Sequence, residues 1–149
     1  MEVNEDECKA FVGKKADYYI EKWSPVEKAG SKISWNWGAF LLGLLWMLYR
    51  KMYFYSLIVL GIAIGQGIIT ELSGLGKFFD LWLVPIISLL FGLFGNYLYY
   101  LHTKSKILKI KRTAKEDLLV AELARKGGTN WAAPIIFVFV YLLIIIISL

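Results

Sequence analysis

One cysteine and one histidine are all the chain has of the two residues most used in metal and nucleophilic chemistry. Cys8 alone excludes an intramolecular disulfide and any cysteine-built metal cluster. His102 stands at the end of an apolar run beside Lys104 and Lys106 and reads as an interfacial polar cap. Charged residues make up only 19% against 58% hydrophobic ones, outside the balance of a soluble domain. The scarcity is sharpest inside the long apolar runs, where no Asp, Glu, Lys or Arg lies at mid-run. Proton relays and ion-coupled transporters carry such groups at mid-depth, so a pump or secondary transporter is not expected. An intramembrane protease needs a nucleophile and a base at matched depth, and His102 is the one conventional base. The sequence therefore offers no catalytic, cofactor-binding or metal-binding set, and an enzyme is not expected.

The chain does have long apolar stretches. Residues 33–70 are interrupted only by Arg50 and Lys51, and further runs cover 78–101 and 131–149. A hydrocarbon core about 30 Å thick needs roughly 20 apolar residues in helix. The expectation is an all-α integral membrane protein. The N-terminus is acidic and leads into no early apolar core, so no cleavable signal peptide is expected.

Four regions follow. Residues 1–32 form a polar N-terminal region with an amphipathic pattern in which Val12, Ala16, Tyr19, Trp23 and Val26 share one side. Packing on the rest of the protein is favoured for this stripe over lying on a membrane surface. Ser24-Pro25-Val26-Glu27 fits a capping box with proline at the first helical position, so the helix is expected to break and restart there.

Residues 33–101 hold three membrane segments. The first, 33–49, would be about 25 Å long at 1.5 Å per residue, short of a full span. It opens with Trp35 and Trp37 and ends at the charged corner Arg50-Lys51. A re-entrant or interfacial helix that turns at this corner is expected, with four full spans as the alternative. Segments 52–70 and 78–101 are conventional spans joined by a turn at 71–77. Asp80 and Trp82 lie at one mouth of the later span, with Tyr97, Tyr99 and Tyr100 as half an aromatic belt at the other. Residues 102–130 are a basic, helical loop ended by Gly127-Gly128, and 131–149 form a last transmembrane helix with Pro134 in its first turn.

The net charge of +5 is concentrated: the 102–130 loop holds eight Lys/Arg against three Asp/Glu. Both this loop and Arg50-Lys51 should be cytoplasmic, which puts the C-terminus outside. The loop lacks the interleaved aromatics of a base-stacking platform, so nucleic acid is not an expected partner. Within the membrane, Gly61 and Gly65 form a GxxxG followed by Gln66, and Ser88, Gly92 and Asn96 recur at four-residue spacing. Such small residues let helices approach closely in lipid. Gln66 and Asn96 lie at opposite depths and cannot pair, so Asn96 should find Asn36 or Tyr49.

At 11–19 (FVGKKADYY), 34–37 (SWNW), Trp46 and 49–53 (YRKMY), with Gly95-Asn96-Tyr97 and the Lys126-Gly-Gly-Thr129 ending, the chain resembles a family of small uncharacterised bacterial membrane proteins. Members often carry proline after the glycine of the first segment, where this chain has Gly43-Leu44. The resemblance implies a bacterial cytoplasmic membrane and no activity. The leading expectation is a non-enzymatic accessory or scaffold component that binds a membrane or cytoplasmic protein, or anionic lipid, on its cytoplasmic face. Arg50, Lys51, Lys106, Lys109, Lys111 and Arg112 are the candidate contacts. The alternative is a small homo-oligomeric channel built on the glycine seam. An enzyme drawing on Glu71, Asp80 or His102 ranks third.

Overall fold

The computed structural model describes residues 2–73 and 76–149, without the side chains of 73–81. The turn expected at 71–77 and the Asp80 carboxylate therefore fall largely outside the described residues. The described residues are helical, with no strand among them: α1 (Glu5–Val12), α2 (Ala16–Ala29), α3 (Trp37–Leu42), α4 (Leu44–Tyr49), α5 (Tyr53–Ser73), α6 (Gly76–Lys111), a 3-10 turn (Glu116–Leu118), α7 (Leu119–Lys126) and α8 (Ala132–Ser148). They fall into two compact units, one made of 1–36 and 93–129, the other of 37–92 and 130–149. The long helix α6 contributes to both.

In the first unit, α1 starts at a capping box. Asn4 Oδ1 accepts the Glu7 N–H at 2.8 Å and Glu7 Oε2 accepts the Asn4 N–H at 2.9 Å, satisfying two donors that a helix start leaves open. Helix α2 does not break at Pro25 as expected but runs on to Ala29. Proline deletes one backbone donor, and the carbonyl it leaves open, that of the exposed Glu21, lies on the solvent side. Before the proline, Tyr19 and Trp23, each 3% exposed, share one buried face at four-residue spacing. The helix ends where Gly30, in the left-handed region, donates its N–H to Val26 O, an αL cap, and Ser31 N–H reaches Pro25 O.

The stripe of α1 and α2 packs inward. Phe11, Ile107, Ile110 and Leu123 form a buried cluster flanked by Val3, Cys8 and Leu119. Burying each such side chain contributes about 1.5–3 kcal/mol. Helix α7 lies along α1, and its closing glycine explains how. A Cβ at Gly127 would collide with the Phe11 carbonyl, while Gly128 N–H donates to that same oxygen at 2.7 Å. The residue following Lys126 has to be glycine for the two helices to approach this closely.

The basic stretch is not a separate helix. Helix α6 passes through Leu101 without interruption and stops at Lys111; a turn, the 3-10 segment and then α7 follow. Ile107 and Ile110 remain in α6 because they complete the core under α1.

In the second unit, residues 37–49 of the segment expected to enter the membrane form two six-residue helices, each about 9 Å long at 1.5 Å per residue. They are divided at Gly43, whose φ of +45° few other residues adopt. Neither piece is long enough to span. Helix α4 packs against both α5 and α8. Among the described residues, two helices are long and apolar enough to cross a membrane, over Tyr53–Leu72 in α5 and Trp82–Lys111 in α6. Helix α8 is more apolar but has 17 residues.

Candidate functional site

Asn96 is the polar hub of the first unit. It is fully buried on α6, and its Oδ1 accepts a hydrogen bond from Asn36 Nδ2 at 2.7 Å. Its own Nδ2 donates to Ser34 Oγ at 2.7 Å, with the Ser34 and Trp35 carbonyls at 3.3 and 3.2 Å. The Asn96 backbone carbonyl accepts the Trp23 indole N–H at 2.9 Å. One amide side chain thus ties the extended 34–36 segment to α6, and its backbone ties α2 to the same turn. Ser34 N–H adds a bond to the Leu93 carbonyl at 3.0 Å. Of the two partners that matched depth offered Asn96, Asn36 and Tyr49, the hydrogen bond is made by Asn36. Trp23 and Ser34 carried no such signal, because Trp23 bonds a backbone carbonyl rather than a side chain and the sequence places neither residue at a matched depth.

Around this hub runs an aromatic ladder. Tyr19 meets Tyr99 edge-on at 4.8 Å, and Trp23 lies 5.6 Å from Tyr99 and 5.7 Å from Tyr100. His102 stacks on Tyr99 at 6.4 Å and lies 6.4 Å from Phe11. Pairs of this kind contribute about 0.5–1.5 kcal/mol beyond their burial. Tyr99 and His102 are therefore core residues, where the sequence suggested a place in an interfacial aromatic belt for Tyr99 and an interfacial cap for His102.

The basic residues divide by role. Lys106, Lys109 and Arg112 are exposed on the outer side of the α6 end. Lys111 instead points inward: its Nζ lies 2.6 Å from Glu7 Oε1 and donates to the Glu2 carbonyl at 2.7 Å. Burial pushes the Glu7 carboxyl up, yet the hydrogen bonds from Lys111 and from the Asn4 N–H outweigh it and hold the group below its ordinary value. Nearby, burial and then the carboxylates of Glu27, Glu7 and Glu5 push the Cys8 thiol up to about 11, which makes it a poor nucleophile at neutral pH.

In the second unit, Arg50 is 4% exposed. It caps α4, with its guanidinium 5.5 Å from the Tyr49 ring centroid. Lys51 takes a left-handed φ of +57°, and Met52 N–H closes the corner on the Met47 carbonyl at 2.9 Å. The corner is the turn expected from sequence, but Arg50 is a packed residue rather than a surface contact. Asn130 fastens the start of α8 to it. Its N–H donates to the Tyr49 carbonyl at 2.8 Å, its Nδ2 to Tyr53 Oη at 2.9 Å, and its Oδ1 accepts the Ala132 N–H at 2.9 Å.

The small residues of the apolar helix α5 form no close seam. Added Cβ atoms at Gly61 and Gly65 would meet nothing within 4 Å, so no close seam forms there within one chain. Gln66 lines a groove of about 330 Å³ with Ile62, Ile69, Thr70 and Leu83. Gly92 is buried on α6, four residues before Asn96. Among the described residues, no group of His, Cys, Asp and Glu is placed to hold a metal ion.

No curated protein and no solved structure matches the chain. Residues 5–104 match the family described as "Protein of unknown function (DUF2628)", a stretch that runs from the first residue of α1 to Lys104 and takes in the Asn96 hub. With more than half of its length inside that match, the chain belongs to the DUF2628 family.

Proposed function

We propose that the chain is a non-enzymatic component of the bacterial cytoplasmic membrane. In this reading α5, α6 and α8 span, and the first unit is a folded cytoplasmic module that binds a partner protein or anionic lipid. The observation that carries it is the contrast between surfaces. The apolar window of α5 is only 6% buried, and α8 exposes Ile146 and Ile147 at 68% and 76%. Water penalises such surface, while lipid accommodates it. The first unit, by contrast, has a closed aromatic core under a polar exterior that presents Lys106, Lys109 and Arg112. Each Lys or Arg near an anionic leaflet contributes about 1 kcal/mol. Lys111 and Arg50 leave the contact set because both are engaged within the fold.

A photo-crosslinker placed at Lys109 in the full chain, in its native membrane, tests the reading. A discrete adduct with a protein or an anionic lipid that disappears when Lys106 and Arg112 become Gln supports it. A ladder of homo-oligomers with ion conductance after reconstitution would support instead the channel reading, which draws on the open glycine face of α5.

A further inference from the structure

Beside the aromatic ladder lies an open groove of about 540 Å³ whose lining includes Glu2, Glu27, Lys32, Tyr97, Tyr100 and Lys104. Its size falls within the roughly 300–1,000 Å³ of small-ligand sites. Neither the Asn96 hub nor the exposed basic face uses these side chains. Two features define its chemistry. The lining is neutral overall, with two ammonium groups and two carboxylates, and none of the four forms an ion pair among the described residues. Each lysine instead lies over a tyrosine: Lys32 is 5.9 Å from the Tyr97 ring centroid and Lys104 is 5.5 Å from that of Tyr100. Lys104 Nζ also donates to Tyr100 Oη at 3.2 Å.

A simple anion in this groove would meet Glu2 and Glu27, and a simple cation would meet the lysines. A ligand carrying both signs answers all four. The tyrosine faces that would otherwise cradle a quaternary ammonium are already covered by lysines. A positive group on the ligand must therefore be held by hydrogen bonds to carboxylates, which requires N–H donors. The groove also opens along Tyr97, Tyr100 and Leu101, where the apolar run of α6 gives way to charge, the depth at which headgroups lie.

From this we propose that the groove binds the phosphoethanolamine headgroup of a membrane phospholipid, with its phosphate at Lys32 and Lys104 and its primary ammonium at Glu2 and Glu27. The proposal rests on the membrane reading above and deepens it by naming a lipid.

The test uses the purified, delipidated full chain in mild detergent, titrated with phosphatidylethanolamine, phosphatidylcholine or phosphatidylglycerol of identical acyl chains, bound lipid being counted by native mass spectrometry. Phosphatidylethanolamine should bind about tenfold or more tightly than either competitor, the loss expected when a charged hydrogen-bond partner is missing. Glu27→Gln and Lys104→Gln should each remove that preference, and Lys14→Gln, at an exposed position outside both the groove and the basic face, should not. Should Lys104→Gln fail to fold, Lys32→Gln, outside any helix, serves in its place. A preference for phosphatidylglycerol, or a preference for phosphatidylethanolamine indifferent to the Glu27 and Lys104 changes, overturns the proposal. So does tighter binding of soluble phosphoethanolamine than of the lipid. Carbonate extraction of native membranes separates the two layers. Release of the chain sinks the membrane reading itself, whereas retention without headgroup preference sinks only the groove.

Discussion

Asn96→Leu should be the most informative single substitution in the first unit. The change leaves the backbone carbonyl that accepts the Trp23 indole in place. It removes the acceptor of Asn36 Nδ2 and the donor to Ser34 Oγ. Each lost hydrogen bond accounts for about 0.5–1.5 kcal/mol, and a buried donor left without an acceptor for about 1–3 kcal/mol more. Asn36 is itself 3% exposed, so water cannot readily replace the missing oxygen. The expected destabilisation is about 2–4 kcal/mol, several times the roughly 0.6 kcal/mol average of interhelical hydrogen bonds in lipid. In a chain of this length it should lower Tm by roughly 5–15 °C, read by circular dichroism in detergent. A double-mutant cycle with Asn36→Leu isolates the pair and should show a coupling of about 1 kcal/mol or more. Additive losses, or a loss under about 0.5 kcal/mol for Asn96→Leu alone, would refute the hub.

Gly127→Ala should destabilise by about 2 kcal/mol or more because the methyl group collides with the Phe11 carbonyl; Gly61→Ala, open on the helix surface, should be neutral or stabilising by up to about 1 kcal/mol. The Glu7 carboxyl is held below its ordinary value, so its contribution is present above the unfolded value and is lost as pH falls through the folded one. Lys111→Met should flatten that acid side of a Tm-against-pH curve, and an unchanged slope would deny the ion pair a role. Cys8, pushed up to about 11, should be alkylated at pH 8 about a hundredfold more slowly in the folded chain than in denaturant. Its stabilising contribution runs the other way in pH, full below the ordinary thiol value of 9.0 and lost as pH rises toward 11. Equal alkylation rates would show the thiol to be unburied.

Much of this architecture was legible because lipid-compatible length and charge placement are local properties. The apolar runs, the Arg50-Lys51 corner and the glycine stop after Lys126 each follow from a few adjacent residues. The partner of Asn96 could be narrowed to Asn36 or Tyr49, since few polar groups share that depth, and the structure has Asn36. What periodicity could not show is where a helix stops when tertiary packing decides it. The α6 helix continues past Leu101 because Ile107 and Ile110 are needed beneath Phe11, and α2 runs through Pro25 to Ala29 although the local residues read as a restart there. Charge alone also could not sort the lysines: Lys111 and Lys109 are two residues apart, yet only the former faces Glu7. The groove at Lys32 and Lys104 joins segments seventy residues apart, and nothing local in either marks it.

The most direct test of the account is the side of the membrane on which the first unit lies. Lys14 and Ser105 belong to the same packed unit, so cysteines placed at either position, with Cys8 replaced by Ser, must report the same compartment. The account predicts that a membrane-impermeant thiol reagent reaches both only after the cells are opened, while a cysteine at Ser148 is labelled in intact cells. Labelling of Ser105→Cys in intact cells, or opposite sides for Lys14→Cys and Ser105→Cys, would contradict it.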